Sequence, residues 1–209
     1  MLLLMVYPLL DTSLMGRVLL GLLNSAILVS GASAASGSRR TLVVAVAFAL
    51  PALVLQWLSL VSPSVLIMRL LGVNMVLFYV FAIGHVVAFV LQPGPVTGNK
   101  LHGAIAVYVM MGLLWTAVYM LIDEIVPGSF NIAASSGHGW ADLLFFSFTT
   151  LTTTGYGDTV PVTGYARSAV MLEQLAGTLY VAILIARLAG LYQPSMERGR
   201  STDRHHGGA

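Results

Sequence analysis

Residues 152–158 read Thr152-Thr153-Thr154-Gly155-Tyr156-Gly157-Asp158. A dehydrated cation needs a ring of oxygens in place of its water, and backbone carbonyls supply them where the chain runs extended with every C=O turned one way. That conformation asks ordinary residues to alternate with residues that tolerate positive φ, the service a glycine gives because it has no Cβ to clash. Gly155 and Gly157 stand at the required places. The Thr153 hydroxyl adds an oxygen at the inner end of such a stack, and Tyr156 points away and wedges the strand open. In a soluble chain the same glycines would only make turns, so the surrounding sequence decides the reading.

Those surroundings are apolar. Of 209 residues, 57% are hydrophobic and 9% charged, against roughly 25% charged in soluble proteins. The net charge of +2 is too small and too dispersed for a nucleic-acid partner, and without cysteine there is neither a disulfide framework nor a thiolate metal site. The composition is that of an integral membrane protein. Five apolar runs, 14–35, 41–61, 64–91, 102–126 and 165–191, each reach the length of a membrane-spanning helix. Between the last two lies a shorter amphipathic stretch, 141–151, too short to cross. It fits a re-entrant helix that dips in and returns through the glycine-bearing strand, since irregular backbone at membrane depth is tolerated only where it lines a cavity.

Sidedness follows from the basic residues. Arg39 and Arg40, then Lys100, then Arg198, Arg200 and Arg204 fall in segments that five spans place on one side, the cytoplasm by the positive-inside rule. Asp123, Glu124, Asp142 and Asp158 then lie outside, where acids gather cations. This predicts a multi-pass protein of the cell (inner) membrane with a cytoplasmic C-terminus. The first ten residues are apolar but too short to span. A cleavable leader is a rival reading there: Arg17, an apolar run, then Ala32-Ser33-Ala34. Cleavage would reverse every later span and oppose the charge rule.

From 102 to 192 the order is span, acidic turret, short helix, glycine-bearing strand, span. With Thr152 to Asp158 in it, this region resembles the pore unit of the potassium-channel superfamily, Thr154 standing where Val or Ile is usual. Ser147, Thr150, Thr152 and Thr153 are similar to the end of the pore helix in bacterial two-helix potassium channels, Asp158 and Pro161 to the exit from the filter, and Arg167 to the start of the inner helix. The whole layout resembles bacterial ion-channel proteins with a single pore loop, loosely grouped with two-pore-domain channels. The expected fold is an all-α membrane protein of about five transmembrane helices plus a re-entrant pore helix and filter strand. Its parts would be 1–101, N-terminal helices without voltage-sensor charges; 102–192, the pore domain with pore helix 141–152, filter 153–157 and inner helix 165–191; and 193–209, a short cytoplasmic tail. One filter per chain implies a homotetramer around one pore.

The resemblance implies passive K⁺ conduction, with K⁺ held at Thr153, Thr154, Gly155 and Tyr156, Gly157 completing the strand. No cofactor is expected beyond K⁺ as permeant ion, and the partners are K⁺, membrane lipids and further copies of the chain. Phe145 and Phe146 stand where relatives often have a tryptophan pair, and Thr149 where some hold a glutamate that bonds to the aspartate. Phe145, Phe146, Thr149 and Asp158 are therefore the filter-support positions, and the pull toward an inactivated filter is expected to be weak. Gly177 falls at the position of a gating hinge. Thr178, Val181 and Ile185 follow at helical spacing as cavity liners, a mostly apolar wall suited to a dewetting gate.

Glu173, an intramembrane carboxyl, is a functional candidate by default, either sensing pH behind the filter or bonding Ser or Thr hydroxyls of the pore helix. His85 is expected to be a satisfied buried histidine rather than a sensor, His138 lies on the turret with no partner in sequence, and the His205-His206 pair is too short a cluster for a metal site. Arg187 lies where it would snorkel to the headgroups. Only Arg69 stands on the third run, so steep voltage sensing is not expected. No Ser-His-Asp arrangement, His-Glu-x-x-His or phosphate loop is present, so an enzyme is not expected. Two other readings remain: a weakly selective monovalent cation channel, because of Thr154, and a nonconducting membrane sensor or scaffold that keeps the pore fold.

Overall fold

The computed structural model describes residues 18, 21–22, 25–26, 39–62, 64–93, 97–132 and 139–191. The apolar N-terminus, most of the 14–35 run, Ala32-Ser33-Ala34, His138 and the 193–209 tail lie outside these residues. The described chain forms α1 (Arg39–Val61), α2 (Val65–Val90), α3 (Gly98–Ile125), β1 (Phe130–Ile132), α4 (Gly139–Leu151), β2 (Thr159–Pro161) and α5 (Gly164–Leu191). Four stretches are long and apolar enough to cross a membrane: Thr41–Val61, Val65–Val90, Gly98–Ile125 and Gly164–Arg187. They coincide with the second to fifth apolar runs. In hydrocarbon every backbone N–H and C=O must be paired within the chain, so uninterrupted apolar runs settle as helices. The molecule is an all-α, multi-pass membrane protein.

The helices stack in sequence order. α1 packs on α2, α2 on α3, and α3 in turn carries α4 and α5. Ala45, Ala49 and Ala52 are buried against Met75, Phe78, Tyr79 and Ala82. Their spacing of four and three puts them on one helix face, and small side chains let two helices approach closely where no hydrophobic effect drives them together. Ser64 caps α2, its hydroxyl oxygen accepting from Ile67 N at 3.3 Å. Farther back, Gln56 Nε2 donates to the Gly21 carbonyl at 2.8 Å, tying α1 to the helical residues before it.

Three boundaries differ from the sequence reading. α4 starts at Gly139 and stops at Leu151 where 141–152 was expected, because Thr152 already turns into the strand. α3 begins at Gly98 and α5 at Gly164. A two-stranded antiparallel ladder is the unexpected element: Phe130 pairs with Pro161, Asn131 with Val160 and Ile132 with Thr159. It joins the segment after α3 to the segment that leads into α5.

Candidate ion-conducting site

α4 has 13 residues and spans about 20 Å at 1.5 Å per residue, short of the roughly 30 Å hydrocarbon core. Helices ordinarily leave their last carbonyls without partners. Here each of them is taken. Phe148 O accepts from Thr152 N at 3.0 Å and from Thr152 Oγ1 at 2.7 Å. Thr149 O accepts from Thr154 N at 2.8 Å and Gly155 N at 3.2 Å, and Thr150 O from Thr153 N at 3.0 Å. Leu151 O accepts from the Tyr108 hydroxyl of α3 at 3.3 Å. The chain that leaves α4 is thus folded back onto the helix end, which fixes where the next five residues run.

Those residues alternate. Thr153, Gly155 and Gly157 have φ of 60°, 55° and 82°, while Thr154 and Tyr156 between them stay at negative φ. Alternation of the two hands straightens the chain and turns successive carbonyls toward one side, the geometry that a stack of carbonyl rings needs. The glycines adopt it freely. Thr153 does not: a β-branched residue at positive φ is a conformational outlier, costing about 1–3 kcal/mol. The bonds from Thr153 N and Thr154 N back to α4 hold it there. Its strained conformation was not legible from residue type, because threonine disfavours it.

The side chains around this segment divide unevenly. Thr152 Oγ1 gives its proton to Phe148 O, so the 3.0 Å contact between Thr152 Oγ1 and Thr154 Oγ1 is donated by Thr154. The residue that replaces the usual Val or Ile is therefore bonded through Thr152 to α4. Tyr156 is 70% exposed in the single chain, with its ring stacked on Phe145 at 5.6 Å and 14°. Phe146 does not join them. It turns into a buried cluster with Tyr119 at 5.4 Å and Phe130 at 5.8 Å, since neighbours on a helix point about 100° apart. Of the two phenylalanines expected to support the strand, only Phe145 contacts Tyr156 in the single chain. Thr149 contributes its main-chain oxygen, its hydroxyl donating back to Phe146 O at 2.9 Å. Asp158 Oδ1 accepts from Thr159 N at 3.0 Å.

On α5, Thr178, Val181 and Ile185 are exposed in the single chain, whereas Gly177 and Glu173 are buried. Gly177 faces the end of α4: a β-carbon there would lie 2.8 Å from Leu151 Cδ1 and 2.9 Å from Leu151 O. Close packing is thus one reason for a glycine at this position. Glu173 has no solvent exposure. Tyr119 donates its hydroxyl to Glu173 Oε2, and Ser147 Oγ of α4 lies 2.6 Å from Oε1 and 2.9 Å from the Gly112 carbonyl. Gly112 also seats the Phe148 ring, which would meet an added β-carbon at 2.6 Å. One carboxyl thereby links α3, α4 and α5. Nothing in the sequence singles out Tyr119 for this contact.

An outer frame sets the spacing of the helices around the segment. Asp123 Oδ1 accepts from Ser129 N at 3.0 Å, the Thr163 hydroxyl donates to Ser129 Oγ at 3.0 Å, and Val162 N donates to Ser129 O at 2.8 Å. Arg167 Nε donates to Pro161 O at 3.3 Å. Glu124 lies beside Arg69, Oε1 to Nε 3.9 Å. Asp123 and Glu124, two of the acids expected to gather cations, thus have structural partners, and Asp158, bonded to Thr159 N, stays exposed. At the other end of the helices, Arg187 Nη2 and Lys100 Nζ both donate to Gln92 O, at 2.7 and 2.8 Å.

Two long helices, the short helix α4 between them and the returning strand make up this region. Residues 105–193 match the family described as an ion channel, a match consistent with an ion channel of the potassium-channel superfamily. No curated protein and no solved structure matched the chain.

Proposed function

We propose that the chain assembles as a homotetramer in the cell membrane and conducts K⁺ passively through stacked carbonyls of Thr153, Thr154, Gly155 and Tyr156, with Gly157 completing the strand. The alternating φ of Thr153, Gly155 and Gly157 carries this reading. The four-fold assembly rests on a further physical requirement. Residues 152–158 are exposed in the single chain, and irregular backbone at membrane depth cannot face lipid. Four copies around an axis cover it and leave the carbonyls facing a shared lumen. With the basic segments on the cytoplasmic side, the strand opens to the outside, and Asp158 sits at its mouth. Thr178, Val181 and Ile185 then line the cavity below.

Reconstitution into liposomes with opposed K⁺ and Na⁺ gradients tests this directly. A reversal potential near that of K⁺ is expected. One near zero favours the second reading, a weakly selective monovalent cation channel, which rests on the hydroxyl of Thr154 and its bond to Thr152. No flux of either ion sinks both.

A further inference from the structure

Proton counting at the buried carboxyl leads one step further. Ser147 Oγ has two oxygens within hydrogen-bonding distance, Gly112 O at 2.9 Å and Glu173 Oε1 at 2.6 Å. A serine hydroxyl has one proton to give. A backbone carbonyl has none, so if both contacts are hydrogen bonds, the second proton belongs to the carboxyl. Tyr119 donates to the other carboxyl oxygen, Oε2. Gly112 O also accepts from Thr116 Oγ1 at 2.7 Å, and the contacts at the carboxyl are all satisfied by one direction of donation: Tyr119 to Glu173, Glu173 to Ser147, Ser147 to Gly112 O. The surroundings agree. Glu173 is fully buried within a membrane-spanning helix, and among the described residues it has no salt-bridge partner. A charge there would stand uncompensated in a medium of low dielectric constant. The titratable groups facing it are Tyr119 and, farther along, Tyr108, both from α3; α4 presents Ser147.

We propose that Glu173 is a neutral carboxylic acid and a positioning residue for conduction, its proton closing the chain from Tyr119 to Gly112 that holds α4, and with it the 153–157 segment, between α3 and α5. The consequence for flux rests on the conduction reading; the proton itself does not. Raising the pH strips the proton, leaves Ser147 one donor for two acceptors, and breaks the link at Gly112. Glutamine reproduces the pattern, its NH₂ donating to Ser147 and its C=O accepting from Tyr119, without a dissociable proton. Alanine leaves the Tyr119 and Ser147 hydroxyls without that partner.

The test is infrared difference spectroscopy on reconstituted wild type, Glu173→Gln and Ser147→Ala, beside K⁺ flux across a pH series. The expected result is a protonated-carboxyl C=O band in wild type, absent from Glu173→Gln, shifted in Ser147→Ala and lost on alkalinisation. Wild-type flux falls over the same range, Glu173→Gln loses that fall, and Glu173→Ala is reduced about tenfold at neutral pH. No carboxyl band separating wild type from Glu173→Gln, or an equal alkaline fall in both, overturns the proposal. If the wild type conducts nothing, the conduction reading alone fails. The band and α4 amide exchange still decide the link: protection lost at high pH in wild type but kept in Glu173→Gln supports it, and equal loss overturns it.

Discussion

A β-carbon on Gly177 would lie 2.9 Å from the main-chain oxygen of Leu151, the last residue of α4. The inner helix and the short helix therefore touch backbone to backbone at the point where the chain turns into the 153–157 segment. Gly177→Ala has to push that turn away. Overpacking of this kind costs about 1–3 kcal/mol, so the variant is expected to unfold at lower temperature in detergent and to conduct less. Unchanged stability and flux would show that the contact relaxes without consequence.

Beside the main-chain bond from Thr154 N to Thr149 O, the Thr154 side chain is bonded to α4 through the hydroxyl of Thr152. Valine at 154 removes that bond and restores an apolar contact behind the strand. A neutral hydrogen bond contributes about 0.5–1.5 kcal/mol, and about 1.4 kcal/mol corresponds to tenfold. Thr154→Val is expected to change the K⁺ over Na⁺ permeability ratio by up to about tenfold, upward. Bi-ionic reversal potentials measure it, and a fall in the ratio would refute the assignment.

Thr153 sits at φ 60°, where glycine would relax. Thr153→Gly is expected to raise the thermal stability of the assembled protein by about 1 kcal/mol while lowering K⁺ flux, because the hydroxyl oxygen at the inner end is lost. Stability and conduction moving in opposite directions is the signature to look for. A loss of both would mean that the strain at Thr153 is not what the hydroxyl's position costs.

Phe145 and Tyr156 stack at 5.6 Å, an arrangement that contributes about 0.5–1.5 kcal/mol beyond burial. Thr149 sends its hydroxyl to Phe146 O and Asp158 its carboxylate to Thr159 N, so the stack carries much of the side-chain bracing of Tyr156. Phe145→Ala is expected to make currents decay faster under sustained activation, and Phe145→Trp to leave them sustained. Identical decay in Phe145→Ala and wild type would remove the stack from the account.

Local chemistry made much of this legible beforehand. Apolar runs with few charges and long enough to cross hydrocarbon become helices wherever they sit, so the four described spans could be placed from composition alone. The positive φ of Gly155 and Gly157 follows from the same kind of fact, the missing Cβ. The small sheet that pairs Phe130 with Pro161 was not legible, because three-residue strands carry too little alternation to stand out.

What the chain could not announce is every feature that depends on how one helix is rotated against another. Phe145 and Phe146 are equivalent as residue types. Only the seating of α4 on α3 sends one to Tyr156 and the other to Tyr119. That Gly177 lies at a place of close approach is decided by Leu151, which the residue type alone does not name. Glu173 could have faced water, an ion or a hydroxyl; Tyr119, 54 positions away, and Ser147 decide it. Backbone preference is written residue by residue, but side-chain partners are chosen by packing between segments distant in the chain, and that exists only once the helices have come together.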